Sequence, residues 1–292
     1  MNCELIYDYK ENYEYRRSFN NLANKVFGID FEKWYQAGFW DDRYVCYSIF
    51  ENENIISNVS ITKQSINSNN KNINSIQIGT VMTSPEYRNK GFASKLIKNV
   101  LDEYSGKSDL IFLFGNKDVK TFYNKFGFRI INEYKFYTKN NFKSRNNIES
   151  RKINIDNKDD LDLALRLSKN NKLLSEKFKV YNSNNILAWH LMNLFSEDIY
   201  YFKDFNLVLI CKKNEDEIDI YNVFSDINTD IRIILENIVS DDINRINFLF
   251  TPNFGEVDIE SELYTDGDYD FHIKTNGTNF DYRFMFPYNF HI

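Results

Sequence analysis

The sequence predicts an α/β (α+β) protein in which a central mixed, mostly antiparallel sheet is followed by a second domain of similar outline. Three observations carry this. Strand-like segments and polar turns alternate up to Thr83, strand and amphipathic helix alternate from there to Tyr137, and a comparable succession returns after a polar break. At 292 residues the chain is long for one domain and gives each half enough residues for a core of its own.

The elements follow in order. Glu4 to Tyr7 reads as a strand, and Tyr13 to Phe27 and Phe31 to Gly38 as helices. Arg43 to Phe50 and Ile55 to Thr62 are β-rich around the polar turn Glu51 to Asn54, and a second polar turn, Asn67 to Asn70, precedes a strand from Asn72 to Thr83. Pro85 ends that strand because it has no N–H for the ladder. Phe92, Leu96, Ile97, Val100, Leu101 and Tyr104 recur at helical spacing, Leu110 to Phe114 is a short buried strand, Val119 to Lys125 is a helix, and Phe128 to Tyr137 is a strand. Lys139 to Lys152 holds few core residues, so the expected domains are 1–140 and 153–292 with a linker over 141–152. In the second half, helices are expected near Asp159 to Leu167, Asn185 to Phe195 and Asp230 to Val239. Strands are expected near Ile199 to Phe202, Leu207 to Lys212, Ile218 to Phe224 and Asn247 to Phe250.

Composition excludes several classes. Hydrophobic residues make up 42% and aromatic residues 17%, too many for a disordered chain. No apolar run approaches the roughly 18 residues of a membrane span, and the opening segment has neither the basic end nor the apolar core of a secretion signal, so a cytoplasmic protein without membrane partners is expected. Cys3, Cys46 and Cys211 are too far apart for a metal motif and are expected as reduced thiols. His190, His272 and His291 show no ligand spacing, so no metal is expected and they read as structural or surface residues. A net charge of −6 argues against nucleic acid and suits a cationic acceptor. A homo-oligomer is compatible with all of this.

The chemistry lies between Thr80 and Phe128. The strand ending at Thr83 runs into a loop, Arg88-Asn89-Lys90-Gly91, that opens directly into the helix beginning Phe92-Ala93. A helix start offers unpaired N–H groups and partial positive charge, a natural cradle for a diphosphate. Gly91 permits close backbone approach, and Arg88 and Lys90 add positive charge. Downstream, after the buried strand, stands Asn116-Lys-Asp-Val-Lys-Thr-Phe-Tyr-Asn-Lys-Phe-Gly-Phe128.

Together the two motifs resemble the GNAT superfamily of N-acetyltransferases over about residues 1 to 138. Phe31 to Trp40 and the Tyr-Arg-Asn-Lys-Gly-Phe-Ala loop are similar to the tandem-domain branch that holds the Eis-type enzymes. The resemblance implies a GNAT fold followed by a degenerate GNAT-like domain, with acetyl-CoA as cosubstrate. It implies that the backbone of Val81, Met82 and Thr83 pairs with the pantetheine arm, with an N–H there stabilising the oxyanion, and that Arg88, Asn89, Lys90, Gly91, Phe92 and Ala93 hold the pyrophosphate. Asn116 would bond the pantetheine, and Tyr123 would face the coenzyme sulfur as general acid. The acceptor is a small-molecule or peptide amine, attacking directly. A coenzyme-binding sensor without turnover, or transfer of another acyl group, stays open.

Glu86, Asp41 and Asp42 are candidate bases that the sequence does not separate, and the Eis-type resemblance adds the carboxylate of Ile292. Trp34, Tyr35, Phe39 and Trp40 are expected either along the acceptor cleft or packed on the sheet. In the second half the segment after Phe224 reads Ser-Asp-Ile-Asn-Thr-Asp-Ile-Arg, with no glycine and with Asp226 and Asp230 near a helix start. Those carboxylates would cap the helix and repel a diphosphate, so this half is expected to shape the acceptor side or an oligomer interface.

Overall fold

The structure is a computed structural model that describes residues 3–145, 147–173, 175–265, 267–275, 277 and 279–291. In chain order the strands and helices are β1 (Glu4–Tyr7), α1 (Tyr13–Phe27), α2 (Glu32–Gln36), β2 (Tyr44–Glu51), β3 (Asn54–Ser68), β4 (Lys71–Thr83), α3 (Phe92–Tyr104), β5 (Leu110–Asn116), α4 (Lys120–Asn124), β6 (Arg129–Ile131) and β7 (Tyr134–Lys139). They continue as β8 (Ser150–Lys152), α5 (Lys158–Lys169), β9 (Phe178–Tyr181), α6 (Asn184–Asn193), β10 (Ile199–Phe202), β11 (Leu207–Asn214), β12 (Glu217–Ser225), α7 (Ile231–Ile238), β13 (Arg245–Phe248), β14 (Glu260–Leu263) and β15 (Tyr269–Thr275).

Local chemistry accounts for the helices near the site. Asn12 caps α1 by accepting from the Tyr15 N–H, Gly28 ends it in the left-handed region, and Phe19, Leu22 and Ala23 form its buried face. The predicted stripe of α3 is buried as expected, with Leu96, Ile97 and Val100 fully enclosed against the first sheet.

Two sheets form. The first is eight-stranded, in the order β1-β2-β3-β4-β5-β15-β6 with β9 also on β3, and the second is seven-stranded, in the order β14-β7-β13-β12-β11-β10-β8. Each contains an antiparallel meander followed by a helical crossover to a parallel strand: β4, α3 and β5 in one, β12, α7 and β13 in the other. Sheet membership does not follow the division at 141–152. The expected single strand from Phe128 to Tyr137 breaks into β6, in the first sheet, and β7, in the second, while β15 from the far end of the chain lies between β5 and β6. The polar stretch is docked as well: the N–H groups of Asn147 and Ile148 donate to the Asn237 side chain, and β8 pairs with β10.

The segment from Phe284 to His291 ties the halves together. Tyr134 N–H donates to the Phe284 carbonyl, Phe286 N–H to the Glu133 carboxyl at 2.8 Å, and Tyr288 N–H to the Leu249 carbonyl. Phe284 and Phe286 are buried in one continuous core with Phe31, Trp34, Phe112 and Phe178, so both halves share the apolar burial that stabilises them.

Candidate active site

The site begins with a defect in the first sheet. Ser57 and Asn58 pair with Thr83 and Met82, but Ser60 pairs with Gly79, so β4 carries one extra residue, and Thr80 there takes a φ of 47°. Buried polar groups pin this bulge: the Asn58 amide donates to the Thr80 carbonyl at 2.9 Å, and Tyr44 Oη lies 2.9 Å from Thr80 Oγ1. On its other edge β4 pairs with β5 from Ser75/Leu110 to Ile78/Leu113, and the pairing stops there. Both strands run on, β4 to Thr83 and β5 to Asn116, leaving an opening between them.

That opening is the wall of a cleft of about 910 Å³. Val81, Met82, Thr83, Arg88, Ala93, Asn116 and Tyr123 line it. Asn89, Lys90 and Gly91 form an exposed loop beside it, while Phe92 turns toward Tyr87 with ring centroids 6.3 Å apart. Gly91 has a φ of 84° and gives no side-chain cap, and α3 has no acidic residue in its first turn, so neither takes up the first N–H groups, which as at any helix start have no intrahelical partner. This is an uncovered, electropositive helix start at one end of the opened strand pair.

Tyr123 stands further along the cleft, its ring 5.3 Å from that of His272 and its hydroxyl pushed up to about 12 by burial. It therefore remains a protonated hydrogen-bond donor at neutral pH. Gly115 makes room for it: a Cβ there would lie 3.0 Å from both the Tyr123 and His272 rings.

The family described as acetyltransferase (GNAT) domain matches residues 11–131, the segment that contains the opened strands, the loop and Tyr123. This chain carries a GNAT acetyltransferase domain. Its solved structural neighbours include a probable N-acyltransferase from Enterococcus faecalis (14% identity, TM-score 0.63, covering 94% of this chain and 73% of that one). They also include Eis1 from Mycobacterium abscessus (11% identity, TM-score 0.58, 94% and 73%) and a GCN5-related N-acetyltransferase from Kribbella flavida (13%, 0.56, 94% and 72%). At these identities the likeness is one of fold. No curated protein sequence matches the chain. The chemistry of a GNAT acetyltransferase domain is acyl transfer from an acyl-CoA to an amine.

Other expectations are placed differently in this GNAT cleft. Trp34 and Trp40 are core residues, packed with Phe31 and Tyr44, and Trp34 donates its indole N–H to the Asn185 carbonyl at 2.7 Å. Phe39 packs against the same core, and the residues this region gives the cleft are instead Val26, Phe27, Ile29 and Phe31. The candidate bases lie outside the cleft and are held in ion pairs: Asp41 with Arg43 at 2.5 Å, Asp42 with Lys10, and Glu86 with Lys25 at 2.7 Å. The Lys25 ammonium and the Ser84 hydroxyl hold Glu86 down to about 2. Ile292 lies outside the described residues. Among the described residues no His, Cys, Asp and Glu side chains group as a metal site, and no helix is long and apolar enough to cross a membrane.

The second half supplies what sequence reading missed. Trp189, His190, Tyr269, Tyr288 and His291 all line the cleft. The two histidines are 101 residues apart in sequence, yet His190 Nε2 lies 2.6 Å from the His291 carbonyl, and the His291 ring stacks on Phe114 with centroids 3.6 Å apart. Phe114 is the first residue of β5 past the end of the strand pairing, so His291 sits near the vertex of the opening.

Proposed function

We propose that this chain transfers an acetyl group from acetyl-CoA to a primary amine of a small molecule or lysine-like acceptor by direct attack. One observation carries the reading: a single cleft joins the exposed start of α3, the unpaired edges of β4 and β5, and Tyr123. The diphosphate would rest on the N–H groups that follow Gly91 with Arg88 beside it, and the pantetheine would pair, as an added strand, along the edge of Val81 to Thr83 that β5 does not pair. Asn116 would bond the amide arm. The amine lone pair attacks the thioester carbon, a backbone N–H of Val81 to Thr83 receives the developing oxyanion, and the C–S bond breaks toward sulfur. The proton lost by nitrogen ends on the departing thiolate, which Tyr123 Oη stabilises by donating a hydrogen bond. Its raised proton affinity makes it a weak acid and a durable donor.

Residues 153–292 fit a second GNAT-like unit that holds no coenzyme. In its sheet the pairing of β12 with β13 also ends early, at Ile220 and Phe248, but the space beyond is occupied by the chain itself: Tyr288 N–H donates to the Leu249 carbonyl, and Asn222 donates to Asn289 at 3.0 Å. The start of α7 is occupied as well, by the Asp230 carboxylate accepting from the Arg232 N–H. This unit closes the acceptor side of the first.

Isothermal titration should show acetyl-CoA binding, and a thiol-release assay over an amine panel should show turnover. Tyr123→Phe should lower kcat about tenfold to a hundredfold with little change in acetyl-CoA affinity. Binding without thiol release from any amine would sink the transfer reading, and a Tyr123→Phe enzyme at full turnover would remove the assigned role.

A further inference from the structure

Three ring nitrogens at the acceptor end of the cleft are buried without a hydrogen-bond partner in the protein: Trp189 Nε1, His190 Nδ1 and His291 Nε2. Hydrogen bonding fixes what each imidazole presents. His190 Nε2 faces the His291 carbonyl at 2.6 Å and so carries the proton, which leaves Nδ1 as a lone pair. His291 is bonded to the Phe286 backbone in a way that favours ring protonation, so its other nitrogen donates to that carbonyl and Nε2 is a lone pair. Two buried acceptors therefore need donors, and leaving them without any is costly.

The surroundings decide which donor fits. Around these nitrogens stand Phe31 from the loop before α2, Phe114 on β5, Tyr269 on β15, and Tyr288 in the same turn as His291. Among the described residues lining the cleft, Arg88 is the only one with a formal charge, and it stands at the phosphate end. Burial also keeps both imidazoles neutral, His190 being brought down to about 4 and His291 lowered well below the usual range. An ammonium entering here would shed its water and meet no carboxylate among the described residues that line the cleft. A neutral amine needs only two acceptors for its two N–H bonds, and its lone pair stays free to attack.

Resting on the acyl-transfer reading above, we propose that His190 Nδ1 and His291 Nε2 are the amine subsite, and that it takes a weakly basic amine, such as a hydrazine or an arylamine, in its neutral form. The two imidazoles are binding residues that orient the nucleophile. Only about one in a thousand molecules of a lysine-like amine is neutral near pH 7.4, so such amines are disfavoured by the same factor. No acidic side chain is among the described residues lining this end of the cleft, so the cationic acceptor expected from the chain's net charge is replaced by a neutral one.

The test uses the full chain with benzylhydrazine and phenethylamine, which match in shape and differ in basicity. At pH 7 the kcat/KM for benzylhydrazine should exceed that for phenethylamine by about tenfold or more, and the phenethylamine value should climb about tenfold per pH unit toward the amine's own pKa. His291→Asn keeps a donor toward Phe286 and removes the Nε2 lone pair, while His190→Gln keeps a donor toward the His291 carbonyl and removes Nδ1. Each should weaken benzylhydrazine binding to the CoA complex, read by calorimetry, by about tenfold with the thermal midpoint held, and His291→Gln, with an acceptor near Nε2, should recover part of it. Equal use of both amines with a flat pH profile, or wild-type amine binding in both His291→Asn and His190→Gln, overturns the proposal. Histidine-dependent amine binding without thiol release supports the subsite and overturns the transfer reading instead.

Discussion

Gly91→Glu should weaken acetyl-CoA binding by about a thousandfold, which corresponds to about 4 kcal/mol. Two effects add. Gly91 holds a φ of 84°, where a side chain costs roughly 1–2 kcal/mol, and this strain falls on the stability of the free protein. The second effect falls on binding: a carboxylate at the start of α3 opposes each phosphate charge by roughly 0.7–3 kcal/mol at a separation near 6 Å, over the range of effective dielectric from water to a protein surface. Gly91→Ala separates them, because no atom lies within 4 Å of the Cβ position and the methyl group brings no charge. The alanine variant should melt earlier and still bind. Titration calorimetry at low and moderate salt reads both variants, and part of the glutamate penalty should fade as salt rises. An alanine variant that loses as much affinity as the glutamate variant would show that steric access, not charge, governs the site, and an unaltered glutamate variant would remove the phosphate cradle altogether.

Much of the first half was legible because its signals are local. The α3 stripe, the turn at Glu51 to Asn54 and the break at Pro85 each lie within one short window, and the structure returns them nearly residue for residue. The loop from Arg88 to Gly91 and the helix start that follows it were legible for the same reason. What stayed hidden is what the fold assembles from afar. Nothing in Tyr269 to Thr275 says that this segment will slot beside β5, and the strand expected across Phe128 to Tyr137 is periodic enough to conceal its break between two sheets. His190 and His291 failed the test of ligand spacing because that test reads sequence separation, while the turn at Tyr288 and helix α6 bring them into one cleft. For Trp34 and Trp40 the sequence left cleft and core both open. Large rings near a cleft fill the core as readily as they line a pocket, and here the interleaved rings of Phe19, Phe31 and Tyr44 draw them inward. The bulge stands beside Gly79, but its unusual φ falls on Thr80, where Asn58 and Tyr44 from other strands hold it and no local window shows it.

The segment that delivers His291 hangs on a buried acid, and this predicts an unusual stability profile. Glu133 is 8% exposed, accepts from the Phe286 N–H, and is raised by burial to about 7, against an ordinary value of 4.5. Between those two values the folded chain binds a proton that the unfolded chain has released, so stability contributed by the neutral acid is full below the ordinary value and is lost as pH rises through the folded one. The loss amounts to about 3 kcal/mol by pH 8, roughly two orders of magnitude in the unfolding equilibrium. Glu133→Gln keeps an oxygen to accept from Phe286 and cannot ionise. Urea unfolding at pH 5 and pH 8 should therefore show the two proteins close together at the lower pH and the glutamine variant more stable, by about 3 kcal/mol, at the higher. Asp160 beside Arg151 has the opposite sign, lowered by its ion pair and losing its contribution in acid, so an excess stability of the glutamine variant in mild alkali reports the raised carboxyl of Glu133. A constant difference between the proteins across this range would mean that Glu133 is ionised throughout, and that the anchor of the His291 segment is a charge rather than a neutral acid.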